Sequence, residues 1–274
     1  MRVGFIGDIS GSFGREIIAS NLQKLKELYK IDFVVANYEN ASHGVGLVKK
    51  HANELLSYGI DVMTGGNHTW DKKDILNFID TLPILKPLNS SPLSKGRGFL
   101  KVDVLGKEVV VISLMGHYTM GLVDNPFPMI VSLVDKLKGE GINHIIIDFH
   151  AESTAEKYTM LYLLKEKVSA ILGTHTHVGT DDLQIFDGCC FVSDVGLTGC
   201  RDQMLGVNRK EPIERSLFGY SEAFRPAKKC KTILQMILFT LNDDGRAIEA
   251  KKIKLFGDNE KIEESISMVE SDYQ

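Results

Sequence analysis

The sequence predicts an α/β fold whose core is a two-layered β sandwich flanked by helices. Three observations predict it. Apolar, β-branched runs alternate with helix-spaced segments through the first 80 residues. The alternation breaks at a hairpin-like stretch and then resumes. The last third is rich in strand patterns.

Taken in order, Val3 to Ile6 is a buried strand ended by Gly7-Asp8, and residues 13–29 space Ile17, Ile18, Leu22, Leu25 and Leu28 as a helix. Residues 32–38 form a second strand, 47–59 a helix closed by Gly59, and Ile60 to Thr64 a third strand. Residues 71–80 read as a short helix, with Asp71 suited to its positive end. This rhythm implies a parallel sheet with helices on both faces. Residues 97–104 and 107–115 flank Leu105-Gly106 as a hairpin. A helix near 128–138, a strand at 144–149, a helix at 154–166 and a strand at 168–173 follow, with Ser153 and Glu156 as a capping box. Strands at 191–194, 232–241 and 247–256 complete the pattern, the last two joined by a turn at Asn242 to Gly245. From Gly257 the chain is polar and reads as a frayed tail. With no repeat or long linker, residues 1–274 are expected to form one domain in two packed sheet layers, helices outside.

Composition narrows the class. Lys and Arg total 32 against 36 Asp and Glu, a net charge of −4, which excludes a generally basic nucleic-acid binder. The run RPAKKCK, Arg225 to Lys231, is read as a solvated face, with an RNA contact as its alternative. The four cysteines, Cys189, Cys190, Cys200 and Cys230, show no C-x-x-C pair, so they are expected to be small buried apolar residues rather than disulfide partners. With no signal peptide and no membrane-length apolar run, a cytoplasmic protein is expected.

The chemistry gathers at strand ends. Asp8 follows the first strand, Glu39 and Asn40 the second, Asn67 and His68 the third, His150 the strand at 144–149, and His175 and His177 the strand at 168–173. Ligands of α/β sheets bind beyond the carboxyl ends of strands. Each signal alone is bland: a turn, a cap or a structural histidine. Their conjunction points to a metal site. His175-x-His177 adds alternating imidazoles on a segment read as extended. Oxygen and imidazole donors without thiolate suit iron, manganese or zinc. The donors exceed one tetrahedral centre, and a bridging carboxylate between two ions uses them economically. Gly65, Gly66 and Gly173 are read as tight-turn residues beside these donors. His51 and His144 are read as structural or exposed, and His117 as a pocket or surface residue.

These residues carry a family likeness. GNHTWD at 66–71 and GTHTH at 173–177 resemble motifs of the calcineurin-like metallophosphoesterases. GDISG at 7–11 and YENASHG at 38–44 replace the usual D-x-H and GDxxD blocks, a combination similar to the YmdB-type branch of bacterial dinuclear phosphodiesterases. GSFGR at 11–15, DFHAE at 148–152 and SDVGLTG at 193–199 match as well, whereas Phe13, Tyr38 and GHYTMG at 116–121 depart from the pattern.

The resemblance implies the calcineurin-like fold and two metal ions, iron first, with manganese or zinc as alternatives. It implies that Asp8, Asn40 and His177 hold one ion, that Asn67, His150 and His175 hold the other, and that Glu39 bridges them. His68 is then the catalytic histidine, and His43 a residue near the substrate phosphate. The implied substrate is a 2′,3′-cyclic nucleotide, opened to a 3′-nucleotide by in-line attack of a shared hydroxide with His68 as general acid. The rivals are a phosphomonoesterase on the same site and a non-catalytic regulator linked to cyclic nucleotides or RNA. The family's dimers and tetramers make a homo-oligomer compatible with this reading, and no membrane partner is expected.

Overall fold

In a computed structural model, residues 1–225 and 227–266 are described. Two sheets stack face to face. In the first, β1 (Arg2–Ile6), β2 (Phe33–Asn37) and β3 (Val62–Thr64) run parallel. In the second, β4 (Phe99–Val104) and β5 (Lys107–Met115) form the expected hairpin, and β6 (His144–His150) and β7 (Ala170–Thr174) lie parallel to β5. β8 (Gln184–Phe186) and β9 (Cys189–Val192) close its far edge. The chain then returns to the first sheet. β10 (Gly199–Cys200), β11 (Thr232–Leu241) and β12 (Ala247–Phe256) extend it, β11 pairing antiparallel with β1.

The period-two pattern of the strands sorts side chains between layers. Val3, Phe5 and Val35 of one sheet meet Val109, Val111, Ile146 and Leu172 of the other in a common apolar layer. Ile145, Ile147 and Phe149, the alternate residues of β6, face α3 (Pro126–Gly139) and α4 (Thr154–Leu164). Ile17, Leu22 and Leu25 of α1 (Gly11–Tyr29), with Ala52 and Leu55 of α2 (Lys49–Ser57), cover the outer face of the first sheet. Helices therefore lie on one face of each sheet, not on both as the rhythm alone suggested, because each inner face is taken by the other sheet.

Four local readings change. Residues 71–80 hold a 3₁₀ turn at Lys73–Asn77 in place of a short α-helix, and Asp71 lies outside it. Ser153 caps α4, its hydroxyl accepting from the Glu156 amide at 3.5 Å, but the Glu156 carboxylate turns instead to the His117 amide at 3.0 Å. Half of the capping box is thus spent on the loop after β5. The polar end contains β13 (Lys261–Ile266), paired along β12; residues 267–274 of the expected tail lie outside the described residues. A helix, α5 (Lys210–Phe218), stands in a stretch with no clear sequence period.

The cysteine reading divides. Cys189 and Cys190 are buried free thiols, as expected. Cys200 and Cys230 are disulfide-bonded, their Cα atoms 5.5 Å apart, because β10 pairs with β11 and brings together residues 30 apart in sequence. Thiol counting on the denatured protein should find two reactive thiols before reduction and four after; four at the outset would remove the pairing. Among the described residues no helix is long and apolar enough to cross a membrane.

Candidate metal centre

The carboxyl ends of β1, β2, β3, β6 and β7 converge on one edge shared by both sheets. Backbone bonds between loops hold it. The Ile9 amide donates to the Asn37 carbonyl at 3.0 Å and the Thr198 amide to the Asp8 carbonyl at 2.8 Å. The 193–199 segment also ties down the loop after β7, through the Leu197 amide to the His177 carbonyl at 3.2 Å. Beneath, buried Lys157 donates to the Thr174 carbonyl at 3.1 Å and to Asp194 at 3.2 Å.

Seven predicted donors meet there: Asp8, Glu39, Asn40, Asn67, His150, His175 and His177. His150 Nε2 lies 3.0 Å from Glu39 Oε2, 3.0 Å from Asn67 Oδ1 and 3.1 Å from His175 Nδ1. Asn40 Nδ2 lies 3.0 Å from both Glu39 Oε1 and His177 Nε2. Asp8 Oδ2 accepts the His175 amide at 3.2 Å, while its Oδ1, fully buried, has no hydrogen-bond partner. Two triads place one donor atom each within 4.8 Å of the others: Glu39, His150 and His175, and Asp8, Glu39 and His177. Glu39 belongs to both.

Neighbouring groups fix which nitrogen each histidine presents. The Thr174 hydroxyl donates to buried Asp148 at 2.6 Å, so it accepts from His150 Nδ1 at 2.9 Å and leaves Nε2 facing the site. Glu152 lies 3.1 Å from His175 Nε2, turning Nδ1 inward. The Leu205 carbonyl accepts from His177 Nδ1 at 2.8 Å, again leaving Nε2 for the site. The centre of the cluster is consequently lined by lone pairs: two imidazole nitrogens, a carboxylate and an amide oxygen around one point. Such a set is repulsive unless a cation sits among it. With the orphaned Asp8 oxygen, this donor chemistry fits metal ions.

Without metal, a proton plays the cation's part. Burial opposes charge on His150, but the carboxylates of Glu39, Asp8 and Asp148 outweigh it and hold the imidazole up at about 9. Burial likewise opposes charge on Glu39, which the His150 imidazolium overcomes, drawing the carboxyl down to about 2. Burial, then the charge on His150, pushes His175 down to about 4. Burial raises Asp8 to about 6 against the pull of His177 and His150.

The glycines act differently from the sequence reading. Gly66 and Gly173 have no left-handed φ; they are there for close approach. A Cβ on Gly66 would lie 2.0 Å from Glu39 Oε2 and 2.4 Å from His150 Nε2. The left-handed backbone falls on the histidines themselves, His175 at φ 105° and His177 at φ 64°. The His-x-His pair therefore sits in a turn, not on an extended segment.

His68 flanks a cavity of about 440 Å³ above the donors, its Nδ1 2.7 Å from Asp71 Oδ2. Sequence reading missed this role of Asp71, assigning it to a helix end; the spacing of three from His68 was the available signal. It also missed Thr174, Asp148 and Glu152 behind the histidines. His43 is exposed, with left-handed φ at it and at Gly44 and Gly46; its ring lies 5.7 Å from that of His51 and does not line this cavity. His51 and His144 are buried and bonded, His51 to Ser42 at 2.8 Å and His144 to the Asn242 carbonyl at 3.2 Å. Arg225, Lys228 and Lys229 of the basic run are exposed, and Pro226 lies outside the described residues.

Comparison with known proteins agrees with this architecture. Residues 5–253 match a family model described as YmdB-like protein. A 2′,3′-cyclic-nucleotide 2′-phosphodiesterase of Bacillus subtilis is 38% identical over 94% of this chain and 98% of its own. A crystal structure of a novel phosphatase from Mycoplasma pneumoniae superposes with a TM-score of 0.88 at 32% identity, covering 93% of each chain. A hypothetical protein from Thermus thermophilus does so at 0.88 and 31%, covering 93% of this chain and 99% of that one.

Proposed function

The chain belongs to the YmdB-like family, and on that premise we propose that it is a dinuclear-metal phosphodiesterase that opens 2′,3′-cyclic nucleotides to 3′-nucleotides. The observation that carries this reading is the pair of donor triads sharing Glu39 beside His68, whose Nδ1 is held by Asp71. Asp8, Asn40 and His177 are assigned to one ion and Asn67, His150 and His175 to the other, with iron preferred over manganese or zinc. When bound, such a pair supplies Lewis acidity, lowering the pKa of water and offsetting charge on the phosphate.

The chain's own residues do the rest. Glu39 and Asp8 hold negative charge at the centre of the cluster, and Thr174, Glu152 and the Leu205 carbonyl lock the imidazoles that aim at it. His68 keeps Nδ1 on Asp71, so Nε2 is the atom free to meet substrate. Protonated, it gives its Nε2 proton to the departing 2′-oxygen as that bond to phosphorus breaks.

The test joins metal analysis of the purified protein to turnover of 2′,3′-cyclic AMP against a 3′,5′-cyclic control. Two ions per chain with preferential opening of the 2′,3′ diester are expected. Hydrolysis confined to monoesters such as p-nitrophenyl phosphate, or binding of the cyclic nucleotide without product, would overturn the reading.

The protonation pattern gives a second expectation. At pH 7 the metal-free His150, held at about 9, carries the proton that a metal ion must displace. Affinity should therefore rise with pH through the neutral range toward 9. Below about 6 protonation of Asp8 weakens it further. Calorimetric metal titrations at pH 7 in buffers of different ionisation enthalpy should report release of about one proton on loading the site; heats independent of buffer would contradict it.

A further inference from the structure

We propose that Met204, Leu205 and Phe224 form a nucleobase-binding wall facing the metal centre, with Phe224 as its stacking platform. The inference rests on the phosphodiesterase reading above and names the part of the substrate that reading leaves unbound. The cavity over the donors, about 440 Å³, has two unlike sides. One is Glu39, His68, His175 and His177; the other is apolar, with Met204, Leu205 and Phe224. A phosphate seated among the donors sets its organic substituent within reach of the second side.

The chemistry of that side suits a flat aromatic ring better than a sugar or a second charge. Phe224 is 48% exposed and Met204 39% exposed, a large apolar area for solvent to wet if nothing covers it. Phe224 is also held from behind. The Arg215 guanidinium lies 5.7 Å from its ring centroid and takes no part in the cavity lining, so one ring face is backed by a cation and the ring still borders the cavity. The Asn208 amide donates to the Arg225 carbonyl at 2.9 Å beside it, and the Cys200–Cys230 bond closes the segment at its base.

The wall is joined to the chemistry as well. Leu205, in left-handed backbone at φ 50°, lines the apolar side with its residue and presents its carbonyl to His177 Nδ1 at 2.8 Å. The loop that contacts the base is the loop that fixes a donor imidazole. Base and phosphate positions are thereby set by one piece of chain.

The experiment compares the manganese-loaded wild-type protein and Phe224→Ala on 2′,3′-cyclic AMP and on methyl riboside 2′,3′-cyclic phosphate, which has the same reacting group and no base. Base stacking on an aromatic side chain corresponds to roughly 5- to 150-fold in affinity. The wild-type KM should favour the base-bearing diester by that order. Phe224→Ala should collapse the ratio of the two KM values toward one, and Phe224→Tyr should restore it. A wild-type ratio near one, or the same ratio in Phe224→Ala, overturns the proposal. Calorimetric binding of 3′-AMP reads the wall without turnover: weaker binding by Phe224→Ala supports it even if the cyclic diester is not opened, and equal binding overturns it.

Discussion

Replacing His68 with alanine is expected to lower turnover of 2′,3′-cyclic AMP by about 10²- to 10⁴-fold, the usual worth of a positioned general acid, with metal content intact. The geometry separates these two effects. His68 lies on the cavity rim with its Nδ1 on Asp71, while the donor atoms of the cluster come from other residues. The departing ribose oxygen is a poor leaving group and needs the proton; p-nitrophenolate does not. The loss should therefore be much smaller on bis(p-nitrophenyl) phosphate. Asp71→Asn, which keeps the shape but removes the carboxylate that holds His68 Nδ1 and orients the ring, should fall between wild type and His68→Ala on the cyclic nucleotide. Equal losses by His68→Ala on both substrates, measured by initial rates with metal analysis alongside, would show that the histidine serves binding or folding and not proton transfer.

The strand ends were readable because a parallel sheet makes sequence order and spatial position nearly the same thing. Val3–Ile6, 32–38 and Ile60–Thr64 are each followed within three residues by a polar donor, Asp8, Glu39 and Asn67, and strands that run parallel must place those residues at one edge. What supports the donors was not readable in that way. Thr174 and Asp148 form a column behind His150 that exists only once β6 and β7 pair. Leu205 reaches His177 from 28 residues away. The Cys200–Cys230 bond depends on the antiparallel register of β10 with β11, between strands far apart in sequence, which spacing between cysteines does not encode. Among the described residues of the 201–230 stretch, α5 included, few are buried, so its sequence carries little period to read. The resemblance to metallophosphoesterases supplied the ligand set; the tautomer-fixing contacts and Asp71 needed the assembled fold.

Glu39 carries the largest consequence in the metal centre, since it is the carboxylate common to both triads. Glu39→Gln should reduce both ions together, whereas Asp8→Asn, touching one triad, should reduce mainly one. The carboxylate also holds the charge on His150, lying 3.0 Å from its Nε2. Its replacement by an amide removes the negative charge that both triads share and lets His150 shed its proton, so that no buried imidazolium is left without its carboxylate. The variant should thus stay folded while losing its hold on cations. Losing several kcal/mol of charge stabilisation at the phosphate corresponds to about 10³-fold or more in kcat/KM, at tenfold for each 1.36 kcal/mol. The decisive measurement is metal stoichiometry of the two variants prepared identically, read beside their circular dichroism. Two ions retained in Glu39→Gln would refute the shared carboxylate. An equal loss in both variants would mean that the two positions fill only together, with Asp8 as necessary to the second ion as to its own.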